Sequence, residues 1–204
     1  LKAASDARPD FALIREIASE AFMPVTYGGG VRTIEDMARL FDLGIEKVSL
    51  GYAAVKTPEL LTAAAQRFGR QSIVVCIDVK RRFLGRCGVA TNRGRDLGDR
   101  EPEAFARVCV AAGAGEIFIQ SIDRDGTRKG YDLDLISRVL AAVDVPVVAC
   151  GGAGSLEDLR SVIQIGASGA AAGSLFVFHG KLEAVLISYP RPAELAMLVP
   201  PPSP

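Results

Sequence analysis

Histidine is nearly missing from this 204-residue sequence; His179 stands alone. A metal site built on several histidines is therefore excluded, and acid–base chemistry falls to carboxylates or lysine. The four cysteines, Cys76, Cys87, Cys109 and Cys150, stand far apart with no C-x-x-C pair. That spacing excludes a disulfide framework and a zinc knuckle, and predicts reduced thiols in a cytoplasmic protein. No metal and no redox cofactor is implied. Neither sign of charge is in excess: 24 basic residues balance 24 acidic ones. A nucleic-acid partner held by electrostatics is not expected. No apolar run reaches ~18 residues, so no membrane-spanning helix is expected. The opening LKAASDARPD lacks the basic-then-apolar pattern of a signal peptide.

What is present is an apolar fraction of 49 %, enough for a real core in one domain. Strand-like runs occur at residues 24–29, 47–51, 72–79, 116–122, 145–151 and 168–173. Most are continuously apolar, as parallel strands buried on both faces should be. Between them, residues 11–21 and 33–44 show three- and four-residue apolar spacing. Thr33 and Ser155 are expected as helix N-caps, Gly44 and Gly166 as C-cap glycines, and Pro58 and Pro102 near helix starts. Alternating strands and helices mean an α/β fold with a parallel sheet.

An internal repeat narrows the fold. With a shift of 122 residues, 24–55 aligns with 146–177 without a gap. Pro24 meets Pro146, Gly29 and Gly30 meet Gly151 and Gly152, Glu35 and Asp36 meet Glu157 and Asp158, and Gly51 meets Gly173. A duplicated half suits a two-half (β/α)8 barrel; a doubly wound sheet is the alternative architecture. Six strands are readable where a closed barrel has eight. The expectation is a single barrel domain over 1–188, lacking about its first two βα units, and a Pro-rich tail over 189–204.

The repeated glycines fall at strand ends that precede helix starts. There, backbone N–H groups approach an anion closely. Gly151, Gly152, Gly173 and Ser174 are candidates for one phosphate site. Gly29, Gly30, Gly51 and Tyr52 are candidates for its duplicate, which implies a substrate with a phosphate at each end. The plainer alternative is that these glycines only make tight turns. Asp78 ends the apolar run IVVCIDV, and Asp125 follows the next strand. Both would face one barrel mouth and serve as acid–base groups. For Asp78 the alternative is a structural pair with Lys80 or Arg81. Asp123 is the weaker candidate, His179 is expected on a surface helix, and Cys76 and Cys150 are expected as small apolar strand residues.

The blocks TYGGGV, EKVSL, VVCIDVK, SIDRDGT with GYD, and PVVACGGAGSLED resemble the cyclase subunit of imidazole glycerol phosphate synthase over residues 1–188. The resemblance implies a lyase of histidine biosynthesis. Ammonia from a glutaminase (amidotransferase) partner, docked at the N-terminal face of the barrel, attacks a bisphosphorylated formimino carboxamide ribonucleotide. The products are imidazole glycerol phosphate and aminoimidazole carboxamide ribonucleotide. By the same resemblance Asp78 matches one of two catalytic aspartates, the other lying on a first strand not present here. Asp125 matches a supporting aspartate. Gly30, Gly152, Gly173 and Ser174 match phosphate-binding positions. Lys47 and Glu116 match half of a charged ammonia gate, with solvent-facing strand-start charges as the alternative.

Four positions depart from the family pattern. Gly51-Tyr52 stands for the usual Asn-Thr, and Gln120 and Cys150 stand at the substrate mouth for a usual threonine and serine. The ending VFHG…AVLISYP resembles paralogues found with surface-polysaccharide genes. That implies an alternative function, delivery of ammonia to a sugar. A third alternative is a non-catalytic fragment that only docks a glutaminase.

Overall fold

A computed structural model describes residues 8–82, 86–91, 96–97, 100–180, 184–196 and 198, with backbone alone for Tyr52, Asp96 and Leu97. The chain runs α1 (Phe11–Glu20), β1 (Thr26–Gly28), α2 (Ile34–Asp42), β2 (Lys47–Leu50), α3 (Tyr52–Lys56), α4 (Glu59–Phe68) and β3 (Ile73–Arg81). It continues β4 (Cys87–Thr91), β5 (Asp96–Leu97), α5 (Pro102–Ala111), β6 (Glu116–Ser121), α6 (Leu133–Leu140), β7 (Val147–Cys150), α7 (Leu156–Gln164) and β8 (Gly169–Ala171). It ends α8 (Ser174–Val177), β9 (Phe178–His179), β10 (Ala184–Val185) and α9 (Pro192–Ala196).

Six strands pair in parallel in the order β1-β2-β3-β6-β7-β8 and curl into a partial barrel of the (β/α)8 type. β4 folds back antiparallel on β3, and β5 on β4. Helices return the chain between most of the parallel strands. Ile77, Ile119 and Ala149 join Leu40, Leu61, Phe105, Leu135 and Leu159 in one buried cluster. Alternate residues of the same strands face the concave side.

The repeat is structural as well as sequential. Under the 122-residue shift α2 falls on α7, β1 within β7, and α3 on α8. Thr33 caps α2 through the Asp36 N–H, and Ser155 caps α7 through the Asp158 N–H. Asp36 in turn accepts from the Arg32 N–H, and Asp158 from the Gly154 N–H. Asp10 and Asp132, also 122 apart, cap α1 and α6. Glycines follow α2 and α7 at Gly44 and Gly166, both at positive φ.

One expectation needs correction. His179 is on β9, half-buried, with Nε2 2.7 Å from Ser188 Oγ, rather than on a surface helix. Its conformation follows from antiparallel pairing of β9 with β10, a contact that periodicity does not reveal. Within the segment expected as a Pro-rich tail lies α9, which begins at Pro192 and whose first turn is tied by Glu194 accepting from the Arg191 N–H at 2.8 Å. Residues 197 and 199–204 of that tail lie outside the described residues.

Candidate active site

Parallel register places functional side chains in one row. Asp78 on β3 pairs with Gln120 on β6, Gln120 with Cys150 on β7, and Cys150 with Ala171 on β8. Register partners in a parallel sheet share a face, so this row lines the concave side near the C-terminal strand ends. One layer lower, Cys76 pairs with Phe118 and Phe118 with Val148. Asp125 joins the row from the loop after β6: its carboxylate accepts a hydrogen bond from Gln120 Nε2 at 3.3 Å.

The electrostatics follow from this crowding. Burial pushes the Asp78 carboxyl above its usual range, and the negative charge of Asp125 pushes the same way. The Cys76 thiol opposes both, donating to Asp78 Oδ1 at 3.6 Å. Cys76 and Cys150 are held as thiols. Burial raises each, and neighbouring carboxylates add to it, so that Cys150 reaches about 11. Thiols so placed are poor nucleophiles at neutral pH. All four cysteines are free. Arg81 pairs with Asp132 at 2.7 Å, not with Asp78.

The loop between β6 and α6 is stitched across the mouth. Arg81 donates its backbone N–H to Asp123 Oδ2 at 2.5 Å, which gives Asp123 a structural task. Arg124 donates to the Gly130 carbonyl at 3.0 Å. The Gly130 N–H donates to the Gly152 carbonyl at 2.8 Å. Tyr131 is buried and its hydroxyl donates to the Ala171 carbonyl, 2.9 Å away on β8. Tyr131 and Asp132 were not singled out from the sequence, although both lie in the GYD block.

The glycine candidates divide. At Gly151 and Gly152 φ is +95° and +112°, and an added Cβ would sit 2.4 Å from the Ser121 carbonyl oxygen and 2.2 Å from the Gly130 carbonyl oxygen. Close approach of the loop backbone explains both glycines without any ligand. At Gly173 nothing lies within 4 Å of an added Cβ, so no packing demands glycine there. Gly173 and Gly51 are the N-cap residues of α8 and α3, with Ser174 and Tyr52 next. The Tyr52 side chain lies outside the described residues. Gly51 abuts β3 beside Cys76, whereas Gly29 and Gly30 follow β1 at positive φ. An added Cβ at Gly126 would lie 3.9 Å from Ser174 Oγ, so the β6–α6 loop borders the second-half glycine site. At the opposite, N-terminal end Lys47 Nζ and Glu116 Oε2 form an ion pair at 2.6 Å across β3.

Among the described residues no cluster of His, Cys, Asp and Glu could hold a metal ion, and no helix is long and apolar enough to cross a membrane. The acid pair and its row can move protons on a substrate bound at the mouth.

A family described as "Histidine biosynthesis protein" matches residues 1–183. The chain is 48 % identical over 188 residues to the "Putative imidazole glycerol phosphate synthase subunit hisF3" of Vibrio vulnificus, covering 91 % of this chain and 72 % of that protein. It is 49 % identical over 184 residues to the "Putative imidazole glycerol phosphate synthase subunit hisF2" of Pseudomonas aeruginosa, covering 89 % and 73 %. It is 51 % identical over 159 residues to the "Imidazole glycerol phosphate synthase subunit HisF" of Myxococcus xanthus, covering 78 % and 62 %.

Proposed function

The chain belongs to the histidine biosynthesis protein family, and on that footing we propose that it is a cyclase-type subunit of the imidazole glycerol phosphate synthase kind. Its reaction takes ammonia and a bisphosphorylated formimino carboxamide ribonucleotide to imidazole glycerol phosphate and aminoimidazole carboxamide ribonucleotide. The observation that carries this is the mouth row, Asp78–Gln120–Cys150, with Asp125 bonded to its centre. Asp78 is the proton-transfer group. Burial raises its proton affinity, and a carboxylate at the mouth can accept a proton and return it. Asp125 adds to the effect of burial through its charge, and Gln120 holds Asp125. Gly173 and Ser174 offer backbone N–H groups to one phosphate, and Gly30 and Gly51 serve the other end of the substrate. Ammonia comes from a glutaminase docked at the N-terminal face, past the Lys47–Glu116 pair. The protein acts in the cytoplasm.

The test uses the protein with whatever residues its gene places before Leu1, ammonium salt and the bisphosphorylated ribonucleotide. Consumption is followed spectroscopically. Asp78→Asn is expected to reduce turnover by about 10²–10⁴-fold, the range for a lost acid–base group. Turnover that survives would remove Asp78 from the mechanism.

A second reading, ammonia delivery to a sugar in surface-polysaccharide synthesis, draws on the same mouth. Gln120 brings an amide to the row and commits it to Asp125, which alters the polar surface a substrate meets. Turnover of a nucleotide sugar, with none of the ribonucleotide, would select it.

A further inference from the structure

The two halves of the repeat use their capping aspartates differently. Asp10 is exposed and caps α1 by accepting from the Ala12 and Leu13 N–H groups. Its counterpart Asp132 is buried and divides its carboxylate. Oδ1 caps α6 through the Leu135 N–H at 3.3 Å. Oδ2 takes Arg81 at 2.7 Å and stands 3.9 Å from Arg124 Nε. Capping alone does not need a buried carboxylate with two guanidinium neighbours, as Asp10 demonstrates. The added contacts run to the two residues that flank the acid pair in sequence. Arg81 follows Asp78 by three residues on β3, and Arg124 directly precedes Asp125.

We propose that Asp132 is a positioning residue that holds the 123–125 segment, and with it Asp125, in place against the strand carrying Asp78. The proposal rests on the roles given to Asp78 and Asp125 above. Six contacts build the brace. Arg81 grips Asp132 with its side chain and Asp123 with its backbone N–H. Arg124 reaches Asp132 and the Gly130 carbonyl. The Asp125 N–H donates to the Ser121 carbonyl at 3.0 Å, and Gln120 bonds the Asp125 carboxylate. Three positions in a row, 123, 124 and 125, are thus each tied to β3, β6 or the start of α6. Such tethering matters because a catalytic group displaced by about 1 Å can cost about 10²-fold in rate.

Asp132→Asn tests this with the cap preserved, since asparagine caps helices as well as aspartate does. Two readouts are used. The first is trypsin cleavage after Arg124, Arg128 and Lys129 in the folded protein, where opening of the segment sets the rate. The variant is expected to be cut about tenfold faster there, with an unchanged melting temperature. The second is a double-mutant cycle with Asp125→Asn. Alone, Asp132→Asn should lower kcat about tenfold or more with KM nearly constant. In the Asp125→Asn background that loss should vanish. Unchanged cleavage, or an equal loss in both backgrounds, would overturn the brace. Should Asp132→Asn lower the melting temperature, Arg81→Gln breaks the same bond from its more exposed end and repeats both readouts. If the wild type turns over no ribonucleotide, the proposed function fails, while the cleavage readout still decides the brace.

Discussion

Asp78 follows the apolar run Ile73–Ile77 on β3, and its burial there pushes its proton affinity above the ~3.9 of an exposed aspartate. Asp125 adds to the push, so removing its charge lowers the Asp78 pKa. A base must be ionised to act, and activity falls as pH drops through its pKa. Asp125→Asn is therefore expected to move the acid limb of the kcat profile to lower pH, besides reducing kcat. A limb that stays in place or moves upward would show that the two carboxylates do not interact. The placement of Asp78 late in a strand beside the next strand's end was legible in the sequence, because it follows the apolar run IVVCI. Asp132 was not. Its partner Arg81 lies 51 residues away, and a buried ion pair leaves no periodic trace. His179 was misread for a different reason: its strand and the one that pairs with it are each only two residues long.

At the scale of elements the repeat carried most of the information. Caps, glycines and strand ends recur at one spacing, and the structure keeps that spacing from α1 through α8. The short antiparallel strands β4 and β5 were not read from the sequence, because they are brief and pair back on the end of β3 and on each other, a contact that leaves no apolar run. The glycine candidates split in a way no sequence shows. Gly152 is fixed by a carbonyl oxygen of Gly130 across the loop, while Gly173 faces open space. Gly152→Ala should cost about 2 kcal/mol or more, from backbone strain together with steric overlap. It should lower the melting temperature. Gly173→Ala should leave the melting temperature alone and raise KM for a phosphorylated substrate. Equal melting temperatures for wild type and Gly152→Ala would contradict the close approach, and an unchanged KM for Gly173→Ala would remove it from the phosphate site.

For the whole molecule, the repeat exposes a contrast between the halves. Leu135 and Val139 of α6 are 1 % and 0 % exposed, whereas Leu13 and Ile17 at the equivalent positions of α1 are 39 % and 52 % exposed. With Phe22 and Met23 they form one apolar face beside the edge strand β1. Faces of this kind, beside a strand that is paired on one side only among the described residues, promote association. Ile17→Lys is expected to reduce concentration-dependent light scattering without lowering the melting temperature; equal scattering from both proteins would show the face is inert. The partial barrel was legible from alternation and repeat together. The mouth chemistry was legible only as far as strand ends announce it, since the braces that organise the mouth are contacts between distant loops.

The proposed reaction joins ammonia to a phosphorylated ribonucleotide at this mouth. Supplying ¹⁵N-ammonium with the bisphosphorylated substrate and following the product by nitrogen-edited NMR tests it. A ¹⁵N label is expected in the imidazole ring of imidazole glycerol phosphate, lost with Asp78→Asn. An unlabelled mixture from folded wild-type protein would contradict it.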